Sequence, residues 1–176
     1  LATAFPWWEV PEEHEHAYLG EPKLQNGKQG LLIDPGAWSN LAGDNWVQLM
    51  AKKAFDAGLK PIQQKRPSPM SVSGVDVGNN KASWDVKLPI AITDVEGNTH
   101  VHEFHAPSVS GAGMSIPALL GLKSLMSQKA VLEMTDRAEY LTFPGPGGYT
   151  IDWSPGTKQH KLERADTGHL LLPCDC

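Results

Sequence analysis

Apolar positions along this chain change period more than once, and each change marks an element. Leu31-Leu32-Ile33, bounded by Gly30 and Asp34, is an unbroken apolar run of the kind a short buried strand makes. Beyond it Trp46, Val47, Met50, Ala51, Ala54 and Phe55 recur at three- and four-residue spacing, while Lys52, Lys53 and Asp56 fall elsewhere. That spacing predicts an amphipathic helix from Asp44 to about Ala57, capped by Asp44 and stopped at Gly58. Lys60 to Met70 contains Pro61, Pro67 and Pro69 and reads as a connector. From Ser71 the period becomes two. Ser71 to Val75, Ala82 to Ile92 and Thr99 to Ala106 are expected strands of an antiparallel meander, turning at Gly78-Asn79-Asn80 and at Glu96-Gly97-Asn98.

A Ser/Gly-rich loop, Ser108 to Ser115, leads into Ile116-Pro117-Ala118-Leu119-Leu120-Gly121, then an expected short helix over Leu122 to Gln128 and a strand over Ala130 to Met134. A turn at Asp136 precedes a strand at Tyr140 to Phe143, ended by Pro144-Gly145-Pro146-Gly147-Gly148. The tail offers Tyr149 to Trp153, a turn at Ser154-Pro155-Gly156, and two short candidates around Leu162 and at Leu170 to Leu172. These shifts divide the chain into an aromatic and acidic opening (1–20, with Phe5, Trp7 and Trp8), a domain (21–143) and a Pro/Gly-rich extension (144–176). The opening is expected to dock through its aromatics.

Composition narrows the class. A chain of 176 residues suffices for one domain with extensions and buries a core without disulfide or metal staples. Fourteen prolines and 17 glycines beside 40% hydrophobic residues favour many short elements, hence a mainly β fold. A net charge of -5 gives no reason to expect a nucleic-acid partner, and no apolar stretch approaches the roughly 20 residues a membrane helix needs, so no membrane insertion is expected. Cys174 and Cys176 are too close for a framework disulfide and read as reduced thiols, which suits a reducing intracellular compartment. The first residue is Leu, so a targeting segment can have been lost and the compartment stays open.

The candidate chemistry starts at Asp34. An ionisable carboxylate at the end of a buried strand is costly unless a site uses it, and Gly36 can bring its backbone N–H close to it. The plainer reading is an Asp-Pro-Gly turn, since all three residues favour turns. His100 and His102 alternate with Val101 and share a strand face, with His105 on the other; surface histidines are the simpler reading there and for His14 and His16, so no metal is expected. Trp38 and Trp84 suit either a substrate groove or, as the expectation, core packing. Glu133 and Asp136 read as solvated.

The order of these elements resembles the retropepsin-like aspartic proteases, of the retrotransposon polyprotein type, over about Leu31 to Phe143. The carrying segments are Leu31-Leu32-Ile33-Asp34-Pro35-Gly36-Ala37, the hairpin with a Gly-containing tip, and Pro117-Ala118-Leu119-Leu120-Gly121-Leu122-Lys123-Ser124-Leu125 followed by Ala130 to Met134. The resemblance implies a closed β-barrel half with one or two short helices. It implies Asp34 as the catalytic carboxylate within the loop Pro35, Gly36 and Ala37. It implies a flap built on Gly74, Val75, Gly78, Asn79 and Asn80, and a support loop Leu119-Leu120-Gly121 beneath Asp34. No cofactor is implied. Peptide hydrolysis of this kind uses two carboxylates sharing one proton, and one domain supplies one such Asp, so the expected arrangement is a homodimer acting on a polypeptide.

Asp166-Thr167-Gly168 matches the family's preferred tripeptide more closely, but Glu163-Arg164-Ala165 precede it where an apolar strand is required, and eight residues follow it. It reads as a surface turn. Two positions depart from the family: Pro35 stands where Thr or Ser ties the two loops together across the dimer, and Lys123 where Asp or Asn is common. These departures keep open an alternative, a catalytically inactive scaffold or accessory subunit of a larger protein assembly, whose terminal extensions would wrap a partner.

Overall fold

The two-residue period of the central segment becomes a long hairpin. Strand β4, Asn80–Thr93, and strand β5, Thr99–Ser110, pair antiparallel from Lys81 opposite Ser110 to Thr93 opposite Thr99. The structure is a computed structural model and describes residues 24, 27–72, 80–135 and 139–174. The aromatic opening, Asp136, and Gly74, Val75, Gly78 and Asn79 of the expected flap lie outside these. Strand β3, Ile62–Val72, pairs with the free edge of β4, and the two-residue β2, Ala42–Gly43, runs parallel to β5, giving the order β2-β5-β4-β3.

Alternate residues of β4 build one wall of the core: Ala82, Val86, Leu88 and Ile90 are buried, with Phe104 and Ala106 of β5 beside them. Helix α1, Asp44–Asp56, covers that wall with Val47, and Trp46, Met50 and Ala51 pack at the margin. Trp46 meets Phe104 edge to face, 5.5 Å between centroids. Each fully buried side chain of this kind contributes on the order of 1.5–3 kcal/mol. The β4–β5 register slips between Ala82 and Trp84, and the neighbours Ser108 and Val109 are both buried there.

Several expectations for the helix and the central sheet need correction. Helix α1 is capped by Gly43, not Asp44; Asp44 opens the first turn, where its charge complements the helix dipole and its carboxylate accepts the Ser108 hydroxyl. A side chain at Gly43 would not fit, since a Cβ would stand 2.5 Å from the Met114 carbonyl oxygen. Phe55, assigned to the buried stripe, is 72% exposed. The proline-bearing connector is largely strand β3: Pro67 and Pro69 fall where its ladder is interrupted, between Lys65 and Met70, and an edge strand tolerates missing N–H groups. Trp84, expected in the core, flanks the register slip and keeps 39% of its surface exposed.

The fold is mainly β, and among the described residues no barrel closes. Among the described residues the four-stranded sheet ends at β2 and β3, and the other strands pair separately in twos. Strand β1, Leu32–Asp34, runs parallel to β6, Leu119–Gly121. After the six-residue helix α2, Leu122–Ser127, β7 (Val131–Met134) and β8 (Glu139–Thr142) form a hairpin. A last small hairpin joins β9, Glu163–Arg164, to β10, Leu170–Leu171. Tyr149 to Trp153 forms no strand and its aromatics are exposed. Among the described residues no helix is long and apolar enough to cross a membrane.

Candidate active-site loop

Strand β1 delivers Asp34 to its C-terminal end, half-buried, and the chain then reverses: the Ala37 N–H bonds the Asp34 carbonyl at 3.2 Å. Pro35 and Gly36 are the central residues of that turn, where proline's fixed φ is already suitable. The carboxylate is folded back onto the turn. Its Oδ1 accepts the N–H of Gly36 at 2.9 Å and of Ala37 at 3.1 Å. Gly36 serves here through its size, for a Cβ would sit 3.1 Å from that same oxygen. Two backbone donors hold one carboxylate oxygen, leaving the second free for chemistry.

The expected support loop is next to it. Leu32, Ile33 and Asp34 lie in register with Leu119, Leu120 and Gly121. Helix α2 has no side-chain cap; its first amides are instead taken up by the loop that follows Asp34, Leu122 N–H to Ala37 O at 2.8 Å and Lys123 N–H to Trp38 O at 2.9 Å. Gly121 permits this closeness, since a Cβ would stand 2.6 Å from the backbone of Ser39. Lys123 therefore keeps its backbone tie to the loop while its side chain is exposed. Of the expected flap residues the structure describes Asn80, which is buried at the start of β4.

Sequence reasoning missed Asn40. Its Oδ1 accepts from the Gly121 N–H at 3.0 Å and the Ser124 hydroxyl at 2.9 Å, and its Nδ2 donates to the His105 carbonyl at 3.0 Å. One amide thus joins the Asp loop, the β6–α2 corner and the central sheet. An Asn in a Ser-Asn pair looks like a loop residue, and its partners stand 65 to 84 positions away, so nothing local marks it. Asn40 also lines two cavities. One, about 480 Å³, is bordered by the Arg66–Asp85 ion pair, His105 and Lys123; the other, about 270 Å³, by Leu31, Ile90, Leu120 and Phe143. Asp34 lines neither.

The Asp166-Thr167-Gly168 turn is a turn, as expected, but it is docked. Gly168, at φ +91°, is buried against Trp38, where a Cβ would meet the indole at 2.7 Å. The Arg164 guanidinium stands over the same ring, 5.9 Å from its centroid. His169 Nε2 lies 2.9 Å from the Gly36 carbonyl oxygen and its Nδ1 lies 2.8 Å from the Thr167 hydroxyl. Trp38 is thus the seat of the C-terminal hairpin. The histidines of β5 take other roles: the exposed His100 bonds Asp94 at 3.0 Å in the turn between β4 and β5, and its ring stands 6.4 Å from that of His102. Among the described residues no three His, Cys, Asp or Glu side chains group as metal ligands do. The chain finds no match among protein-family models, curated proteins or solved structures.

Proposed function

We propose that this protein is an aspartic endopeptidase of the retropepsin type. The observation that carries the reading is the pairing of Asp34, held by the Gly36 and Ala37 amides, with a parallel Leu119-Leu120-Gly121 strand in register beside its own. In this mechanism two Asp34 carboxylates, one from each copy of a symmetric dimer, share a proton. The ionised one takes a proton from water as that water attacks the scissile carbonyl; the protonated one donates a hydrogen bond to the carbonyl oxygen as charge develops there. Repulsion between the two carboxylates keeps one of them protonated. The substrate is an extended polypeptide.

The alternative, a scaffold subunit without protease activity, draws on Pro35, which brings neither a hydroxyl nor an N–H to a partner loop. One experiment separates the two. The protease reading expects cleavage of an unstructured polypeptide at mildly acidic pH, sensitive to pepstatin and lost in Asp34→Asn, from a species with twice the chain's mass. Equal null activity of the wild type and Asp34→Asn, both folded and dimeric, would leave the scaffold.

A further inference from the structure

The C-terminal hairpin β9–β10 touches the active-site loop at the residue two positions beyond Asp34. We infer that His169 is a positioning residue for the Asp34 loop, so that the hairpin belongs to the working unit. This rests on the protease reading for its catalytic consequence, though the contact itself does not. A carbonyl oxygen can only accept, so the bond to Gly36 makes Nε2 the donor. In the neutral ring Nδ1 is then the acceptor, and the Thr167 hydroxyl donates to it. Both ring nitrogens are therefore committed, and the imidazole plane is fixed.

What His169 holds matters because of the other side of the same residue. The Gly36 N–H donates to Asp34 Oδ1 while its carbonyl is bound by His169, so rotation of that residue loosens the carboxylate. Gly36 and Pro35 are exposed, and the loop gets little packing on that side from the core. The hairpin is itself anchored, Gly168 and Arg164 bearing on Trp38 and an antiparallel bond joining the Ala165 N–H to the His169 carbonyl at 2.9 Å. It is an anchored arm that brings a hydrogen-bond donor to the loop.

The test uses the full chain and three substitutions, read first by amide exchange at Gly36 and Ala37. His169→Ala removes the donor and is expected to speed exchange there about 5- to 10-fold, as loss of one hydrogen bond does, with exchange in β4 and β5 unchanged. His169→Gln places an amide nitrogen as many bonds from the backbone as Nε2 and is expected to restore protection. His169→Asn stops short, at the position of Nδ1, and is expected to behave as Ala. If His169→Ala unfolds the chain, the Gln and Asn pair alone decides. Unchanged exchange in Ala, or equal exchange in Gln and Asn, would overturn the inference. In the peptidase assay kcat should fall by a similar factor in Ala with KM nearly unchanged and recover in Gln; an unchanged or raised kcat would overturn the positioning role. A wild type as inactive as Asp34→Asn defeats the protease reading, and with it the catalytic part, while exchange still decides whether His169 holds the loop.

Discussion

Asn40→Ala should be among the most damaging single changes outside the apolar core. The substitution removes three hydrogen bonds: two part-buried ones accepted from Gly121 and Ser124, and a more exposed one donated to His105. At about 1 kcal/mol net for each of the two part-buried bonds and little for the exposed one, with the Gly121 N–H left without its acceptor, the loss is about 2–3 kcal/mol. For a domain of this size that lowers Tm by roughly 5–10 °C. The measurement is urea unfolding of the wild type and variant with a common m value, which isolates stability from changes in the exposed surface. A double-mutant cycle with Ser124→Ala should give a coupling of about 1 kcal/mol, because the pair shares one bond. Asn40→Ala within about 0.5 kcal/mol of wild type, or zero coupling to Ser124, would show that the three-way joint is incidental to stability.

Two other perturbations test neighbouring parts of the argument. Gly121→Ala forces a Cβ to within 2.6 Å of the Ser39 backbone and is expected to cost about 1–3 kcal/mol in thermal or chemical unfolding; a neutral result would show that the loop and α2 can separate freely. In the β4–β5 turn, the His100 side chain, followed by the Asn98 amide, holds the Asp94 carboxyl down at about 2. The folded value lies below the ordinary 3.8, so the contribution of Asp94 to the turn is complete above pH 4 and lost as pH falls through about 2. Carboxyl NMR should show that low midpoint and its rise in His100→Ala; the same midpoint in both would refute the assignment to His100.

Much of this architecture was written in local patterns. The helix over residues 44 to 56, the alternating strands of the meander, the short helix at Leu122 and the turn at Glu96-Gly97-Asn98 all follow from periodicity and turn chemistry, which act over a few residues. Proline misled the reading at Pro67 and Pro69, because whether a strand lies at an edge, where a missing N–H is harmless, depends on its neighbours and not on its own sequence. Phe55 and Trp84 failed for a related reason: an apolar residue fits a stripe or an alternation by spacing, but burial needs something opposite it.

The candidate site divides in the same way. Sequence alone determined that Asp34 ends an apolar run and sits in a Pro-Gly turn whose amides can reach its carboxylate, for those relations span three residues. Tertiary structure decided the partners: Gly121 beside Asp34, Asn40 across to Ser124 and His105, and His169 on Gly36 from 133 positions away. A hydrogen bond between residues so distant leaves no period or composition in the chain. It exists only because the packing of intervening elements brings a donor and an acceptor within 3 Å, and that is a property of the folded molecule.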